Sequence, residues 1–194
     1  MIKRLCVYCG SSPGSRIEYV RAAKDMARVM ANKNIGLVYG GASIGVMGAI
    51  ADAVLEEGGE VIGIIPKELF VKEVAHTGIT ELREVSSMHE RKALMAELSD
   101  GFIALPGGLG TIEEFFEIWT WAQLGMHHKP CGLLNVCRYY DKLIDFLDHT
   151  VSEQFLKDVN RSMVFVEEHP EVLLQKFESY KAAKVKKWIG RKTI

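Results

Sequence analysis

Apolar residues in this chain gather into short unbroken runs, and longer amphipathic stretches lie between them from one end to the other. Runs such as Arg4-Leu5-Cys6-Val7-Tyr8-Cys9 and Gly101-Phe102-Ile103-Ala104-Leu105 lack the polar alternation of a half-exposed strand. Strands of that composition are buried on both faces, as in a parallel sheet held between helix layers. The spacing predicts strands over residues 3–9, 35–39, 60–65, 81–85, 101–105, 131–136 and 163–166. It predicts helices near residues 15–33, 45–57, 88–98, 111–124, 139–151 and 170–183. Residues 66–80 have weak periodicity and read as a short helix plus loop. The alternation implies an α/β fold, a Rossmann-like and mostly parallel sheet of about seven strands with helices on both faces.

Composition narrows the setting. At 194 residues the chain suits one domain, expected over residues 1–183, with a basic tail over 184–194 that reads as a solvated terminus. A net charge of -1 gives no overall field for nucleic acid or membrane, so neither is expected as a partner. The apolar run Leu5 to Tyr8 is too short for a signal peptide, and no stretch approaches the ~20 apolar residues of a membrane span. A soluble, cytoplasmic protein is expected. Cys6 and Cys9 form a C-x-x-C, but three positions apart in a strand place side chains on opposite faces. No second cysteine or histidine pair completes a zinc site, so the thiols read as reduced and mostly buried. His127-His128 point apart and lack a third ligand at helical spacing; no metal and no cofactor are expected.

Glycine-rich turns follow three strands: Cys9-Gly10-Ser11-Ser12-Pro13-Gly14, Tyr39-Gly40-Gly41-Ala42-Ser43-Ile44-Gly45 and Pro106-Gly107-Gly108-Leu109-Gly110-Thr111. In an open α/β sheet these turns line the crevice at the carboxyl ends of the strands. Backbone N–H groups at helix starts hold anions there, so the expected ligand carries phosphate. The third turn continues into Ile112-Glu113-Glu114. It lacks both the G-x-G-x-x-G spacing of a dinucleotide site and the Gly-Lys-Ser/Thr of a P-loop, which leaves a mononucleotide or sugar phosphate. Thr111 is expected to open the following helix.

Glu114 has two readings from spacing alone. Thr111-x-x-Glu114 matches a capping box. Alternatively the carboxylate, one turn above an anion loop, does chemistry beside a cation. That cation is offered by Met88-His89-Glu90-Arg91-Lys92, where Arg91 and Lys92 sit at a helix start against the macrodipole. They are either a solvated surface pair or a grip on phosphate. His89 reads as a supporting residue rather than a catalyst.

The motifs Met88-His89-Glu90-Arg91-Lys92 and Pro106 through Glu114 together closely resemble the LOG ("Lonely Guy") family. These are cytokinin riboside 5′-monophosphate phosphoribohydrolases; bacterial relatives act as AMP nucleosidases, and many carry an older lysine decarboxylase label. Cys9-Gly10-Ser11-Ser12, Tyr39-Gly40-Gly41 and Thr120-Trp121-Ala122-Gln123-Leu124-Gly125 extend the resemblance over most of the chain. The family pattern P-G-G-x-G-T-x-x-E is matched at every fixed position. The resemblance implies hydrolysis of the N-glycosidic bond of adenine-type nucleoside 5′-monophosphates to free base and ribose 5-phosphate. It places the catalytic pair on Arg91 and Glu114. It places substrate contacts on Glu73, Arg91, Lys92, Gly107, Gly108, Leu109, Gly110, Thr111, Ile112, Glu113, Glu114 and Thr120, with Gly10, Ser11, Gly40, Gly41 and Met88 as secondary candidates. It also implies a homodimer with sites near the subunit interface. Residues 74–83 diverge from the family, which leaves base preference open. A non-catalytic nucleotide or molybdenum-cofactor carrier is the alternative; the Arg91 and Glu114 pair favours the enzyme. Lysine decarboxylation is disfavoured because no lysine stands out as a Schiff-base partner.

Overall fold

A computed structural model of the chain describes residues 1–70 and 75–182, with Leu69 and Phe70 described by backbone alone. Glu73 and the tail over 184–194 therefore lie outside the described residues.

Seven parallel strands form one sheet among the described residues: β1 (Arg4–Tyr8), β2 (Gly36–Tyr39), β3 (Val61–Pro66), β4 (Glu81–Val85), β5 (Gly101–Ala104), β6 (Cys131–Leu134) and β7 (Val164–Glu167). Their spatial order is β4-β3-β2-β1-β5-β6-β7. The helices are α1 (Ile17–Asn32), α2 (Gly45–Glu56), α3 (Lys67–Phe70), α4 (Met88–Leu98), α5 (Leu109–Gln123), α6 (Asp141–Ser152), α7 (Asp158–Arg161) and α8 (Pro170–Glu178). None of the described helices is long and apolar enough to cross a membrane.

The inner strands form because their residues are apolar on both faces, whereas the edge strand β4, Glu81-Leu82-Arg83-Glu84-Val85, is mostly polar and only Val85 of it is buried. Every residue of β2, β3, β5 and β6 is buried. One core face receives Leu5, Val7, Leu37, Tyr39 and Ile103, covered by Ala23, Met26, Ala27 and Met30 of α1. That stripe recurs at three and four residues, the mark of an amphipathic helix. The other face receives Cys6, Tyr8, Val38 and Phe102, covered by Met95 of α4 and by Phe115, Ile118 and Trp119 of α5. Cys6 and Cys9 thus belong to different core faces, as strand geometry requires. Burial pushes both thiols well above the ordinary range, and for Cys9 the charge of Glu114 adds to the effect.

Chain direction reverses its march across the sheet at β1. The first half winds outward to β4 and the second half outward from β5 to β7, so β1 and β5 are neighbours although widely separated in sequence. The loops leaving these two strands diverge to opposite faces and open a crevice at the switch point.

The sequence placed these elements with a few differences. Helix α5 begins at Leu109 rather than Thr111, because Gly108 takes the cap position and its carbonyl receives the Ile112 N–H. Strand β6 stops at Leu134, and Val136–Arg138 turns in a single 3-10 segment with Cys137 and Arg138 at positive φ. The α7 turn lies in a stretch whose short apolar spacing gave no signal. Within residues 66–80 the short helix is α3, and Ala75 pairs with Ala42 in an isolated antiparallel bridge.

His127 closes the connection after α5. Its Nδ1 accepts from the Lys129 N–H at 3.1 Å, so Nε2 is the nitrogen that donates to the Ile118 carbonyl at 2.8 Å. Burial, seconded by the charge of Lys129, holds its pKa below the ordinary value against the pull of that carbonyl. A depressed histidine pKa means protonation favours the unfolded chain. Its stabilising contribution is complete above about pH 6.5 and is lost as pH falls through the folded value. The urea midpoint is expected to drop on acidification below that point, and His127→Gln is expected to flatten the drop. Identical pH profiles for the two proteins would remove His127 from the account.

Candidate active site

The start of α4 is fixed by its own side chains. Ser87 caps the helix by accepting from the Glu90 N–H at 3.1 Å, and the Glu90 carboxylate accepts from the Ser86 N–H at 2.7 Å. A reciprocal cap of this kind satisfies amides the helix itself cannot. The hydrogen bonds from Ser86 hold the Glu90 carboxyl below its ordinary pKa. One turn later the helix drops Arg91 into the sheet's upper edge, where the residue is only 5% exposed.

Arg91 is seated by β2. Its Nη2 donates to the Gly40 carbonyl at 3.0 Å, and Nη1 lies 3.8 Å from the Met88 sulfur. A side chain at Gly40 would put its Cβ 2.0 Å from Nη2, so this turn needs glycine to admit the guanidinium. Gly41 beside it has φ of 81° and is buried beneath the loop. Nη1 of Arg91 also faces Glu114 Oε1 at 3.9 Å, with both side chains largely withdrawn from water. Nε of Arg91 is buried without a hydrogen-bond partner among the described residues.

Glu114 comes from α5, which starts on Gly108 with no side chain capping it. Thr111 is inside the first turn and not at the cap, so Thr111-x-x-Glu114 is not a capping box; that device belongs to Ser87 and Glu90. Gly108 and Gly110 have no internal reason to be glycine. Neither adopts positive φ, and a Cβ on either would meet nothing within 4 Å. Gly107 by contrast is packed against Thr111 and Gly10.

The other glycine turns are spent inside the protein. Gly10 N–H donates to the Pro106 carbonyl at 3.2 Å, and the Gly10 carbonyl accepts from Val46 and Met47 at the head of α2. Gly45 presses on Ser11 with φ of 62°. Two amides at the start of α2 are therefore taken by the first loop.

A cleft of about 320 Å³ joins these parts. Of the residues singled out in the sequence, Gly10, Ser11, Gly40, Met88, Arg91, Gly108, Leu109, Gly110, Thr111, Glu113 and Glu114 line it. Met47 on α2 also lines it, and no motif pointed there. Gly107 faces an adjoining cavity of about 290 Å³ walled by Tyr19 and Tyr139. Ile112 is half-buried on the far side of the helix, Thr120 is exposed further along α5, and Glu73 lies outside the described residues. His89 is exposed.

Lys92 does not line the cleft. Its Nζ bridges Glu113 at 2.7 Å and Glu117 at 3.0 Å. Partial burial pulls its pKa down, but the hydrogen bonds it donates to the two carboxylates prevail and raise it. A lysine kept protonated in this way is a poor Schiff-base nucleophile. No group of three or more metal-ligating side chains occurs among the described residues.

A model of the family described as "Possible lysine decarboxylase" matches residues 47–177. The cytokinin riboside 5′-monophosphate phosphoribohydrolase of Arabidopsis thaliana is 47% identical over 191 residues, covering 96% of this chain and 90% of that protein. One from Rhodococcoides fascians is 50% identical over 165 residues, covering 84% of this chain and 83% of that protein. One from Oryza sativa subsp. japonica is 48% identical over 178 residues, covering 92% and 74%. Among solved structures, the molybdenum cofactor carrier protein of Chlamydomonas reinhardtii superposes with a TM-score of 0.70 at 17% identity, covering 93% of this chain and 100% of that one. The molybdenum cofactor binding protein of Rippkaea orientalis gives 0.67 at 20%, covering 92% and 97%. At those identities the likeness is one of fold.

Removing the α4 cap tests how firmly Arg91 is held. Ser87→Ala is expected to cost about 1 kcal/mol. In a chain of this size that lowers Tm by about 2–4 °C, read by thermal melting. An unchanged Tm would show that the Glu90 bonds hold the turn without Ser87.

Proposed function

The chain belongs to the possible lysine decarboxylase family, in which the relatives above are cytokinin riboside 5′-monophosphate phosphoribohydrolases, and we propose that it hydrolyses adenine-type nucleoside 5′-monophosphates to free base and ribose 5-phosphate. The observation that carries this reading is the buried Arg91–Glu114 pair in the same cleft as the uncapped, glycine-built start of α5.

The 5′-phosphate sits at the head of α5, on the amides around Gly108 to Thr111, where helix dipole and N–H groups favour an anion. Glu114 follows five positions after Leu109, ~7.5 Å along the helix, which sets its carboxylate toward the ribose rather than the phosphate. As the bond from C1′ to the base breaks, its electron pair leaves with the base and positive charge spreads over C1′ and the ring oxygen. Glu114 stabilises that charge or takes a proton from the attacking water, whose oxygen bonds to C1′; the base takes a proton from solvent as it leaves, and the proton on Glu114 returns to solvent. Arg91 faces Glu114, its own place fixed by Gly40. Binding the unreactive phosphate supplies energy for orienting the ribose.

A carrier function is the weaker reading. The molybdenum-cofactor proteins share the fold at 17–20% identity, whereas the phosphoribohydrolases share about half of all residues along most of the chain. Activity on AMP as well as on prenylated adenine nucleotides belongs to the proposal. So do a cytoplasmic location, one domain over residues 1–183 and a homodimer. Thr120 is exposed and away from this chain's cleft, so it serves a nucleotide only where α5 of one copy reaches the cleft of another.

Incubation with AMP is expected to release adenine and ribose 5-phosphate, resolved by liquid chromatography. A panel of adenine nucleoside monophosphates that all stay intact would overturn the proposal. Phosphate anchoring further predicts much higher kcat/KM for AMP than for adenosine, and equal values would remove the anion site from the mechanism.

Glu114→Gln keeps the shape of the side chain and removes its charge. Turnover is expected to fall by ~10²–10⁴-fold, while AMP binding survives or tightens as a negative charge near the phosphate is lost. Arg91→Ala is expected to lower turnover as well. A folded Glu114→Gln variant with wild-type turnover would end the catalytic assignment.

A further inference from the structure

Behind the phosphate loop, and outside every motif of the sequence, Tyr139 donates its hydroxyl to the Gly107 carbonyl at 2.6 Å. We propose that Tyr139 is a positioning residue that turns the Gly107–Gly108 peptide so that the Gly108 N–H faces the cleft. The assignment rests on the phosphate site proposed above.

A trans peptide is planar, so the N–H of Gly108 points opposite to the carbonyl of Gly107. No described peptide bond is cis. Tyr139 and Gly107 both border the cavity behind the loop and neither borders the cleft, whereas Gly108 borders both. The hydroxyl therefore holds the carbonyl on the rear side, and the amide looks forward. Two successive glycines leave the orientation of their shared peptide free, since neither carries a Cβ to resist rotation. The chain itself does not choose the direction; a hydrogen bond from outside the loop does.

The tyrosine is well placed for that task. The tight turn with Cys137 at φ of 51° and Arg138 at 61° delivers two tyrosines in succession beneath the loop. Tyr140 donates to the Leu105 carbonyl at 2.6 Å while its own N–H is held by Asn135 at 2.7 Å. The pair thus grips the loop on both sides of Pro106. The Tyr139 ring is braced edge-on by Tyr19 at 5.6 Å and Tyr140 at 5.0 Å. With 41% of Tyr139 exposed, loss of the hydroxyl alone leaves no buried void.

Tyr139→Phe isolates the hydroxyl. Ribose 5-phosphate, titrated calorimetrically, is expected to bind the variant about three- to tenfold more weakly, the worth of one net hydrogen bond. KM for AMP is expected to rise by a similar factor, with kcat falling by less. Tyr19→Phe trims a hydroxyl from the facing ring and is expected to bind ribose 5-phosphate as the wild type does. Unchanged affinity in Tyr139→Phe overturns the assignment, and so does an equal loss in Tyr19→Phe, which would mean that any softening of the aromatic wall suffices. Should the wild type bind ribose 5-phosphate but release no adenine from AMP, weaker binding by Tyr139→Phe still supports the positioning role while the hydrolase reading falls.

Discussion

A guanidinium taken out of water costs on the order of several kcal/mol unless its surroundings replace the lost solvent. Arg91, almost wholly buried at the upper edge of the sheet, imposes that requirement on everything near it. The Gly40 carbonyl takes one edge of the fork, which is possible only because the residue supplying it has no side chain. Glu114 faces another nitrogen from the neighbouring helix. The cap at Ser87 and Glu90 fixes the turn from which Arg91 descends. Nε is buried without a partner among the described residues. A site built on a buried charge is thereby rigid before substrate arrives, which is what electrostatic catalysis needs.

The reversal of strand order supplies the place for this arrangement. Because β1 and β5 are neighbours, the loops that leave them meet at the crevice, and the Gly10 amide is close enough to hold the Pro106 carbonyl. The same Gly10 carbonyl satisfies the head of α2. One loop is consumed in holding its neighbours, and the other stays open. Glycine therefore has two meanings in one site. At 10, 40, 45 and 107 it admits protein atoms that a Cβ would strike; at 108 and 110 it faces open space.

Much of this was legible in the sequence. Unbroken apolar runs located the inner strands to within a residue or two, since burial on both faces leaves a pattern that survives without neighbours to interpret it; the mostly polar edge strand β4 carries no such run. The glycine motif and Arg91 do line one cleft, whereas Lys92 beside it does not. What escaped were facts settled by the third dimension. The competition between capping and chemistry at Glu114 was undecidable from spacing, because Thr111 stands at a cap position only if the helix begins there, and Gly108 begins it earlier. Nor does anything in the string show that the Gly10 carbonyl takes two amides at the start of α2. Tyr139 is separated from Gly107 by 32 positions, and no local pattern links them.

The cations at the start of α4 carry the last step. Their placement against the helix dipole needs compensation, and in the sequence a phosphate was the visible candidate. In the fold the compensation comes first from α5. Arg91 stands against Glu114 and Lys92 against Glu113 and Glu117, so two adjacent cations on one helix are matched in register to carboxylates on the next. The two positions are not interchangeable. The planar fork of arginine can face a carbonyl and a carboxylate along separate edges, while the ammonium of lysine spreads its donors over two carboxylates. The register also decides what the nucleotide meets. In the proposed complex, three acidic residues in the first half of α5 would repel phosphate at its start, and Lys92 offsets two of them. Glu114 is then the carboxylate that the proposed complex leaves to face the sugar, with Arg91 opposite it in the wall of the cleft.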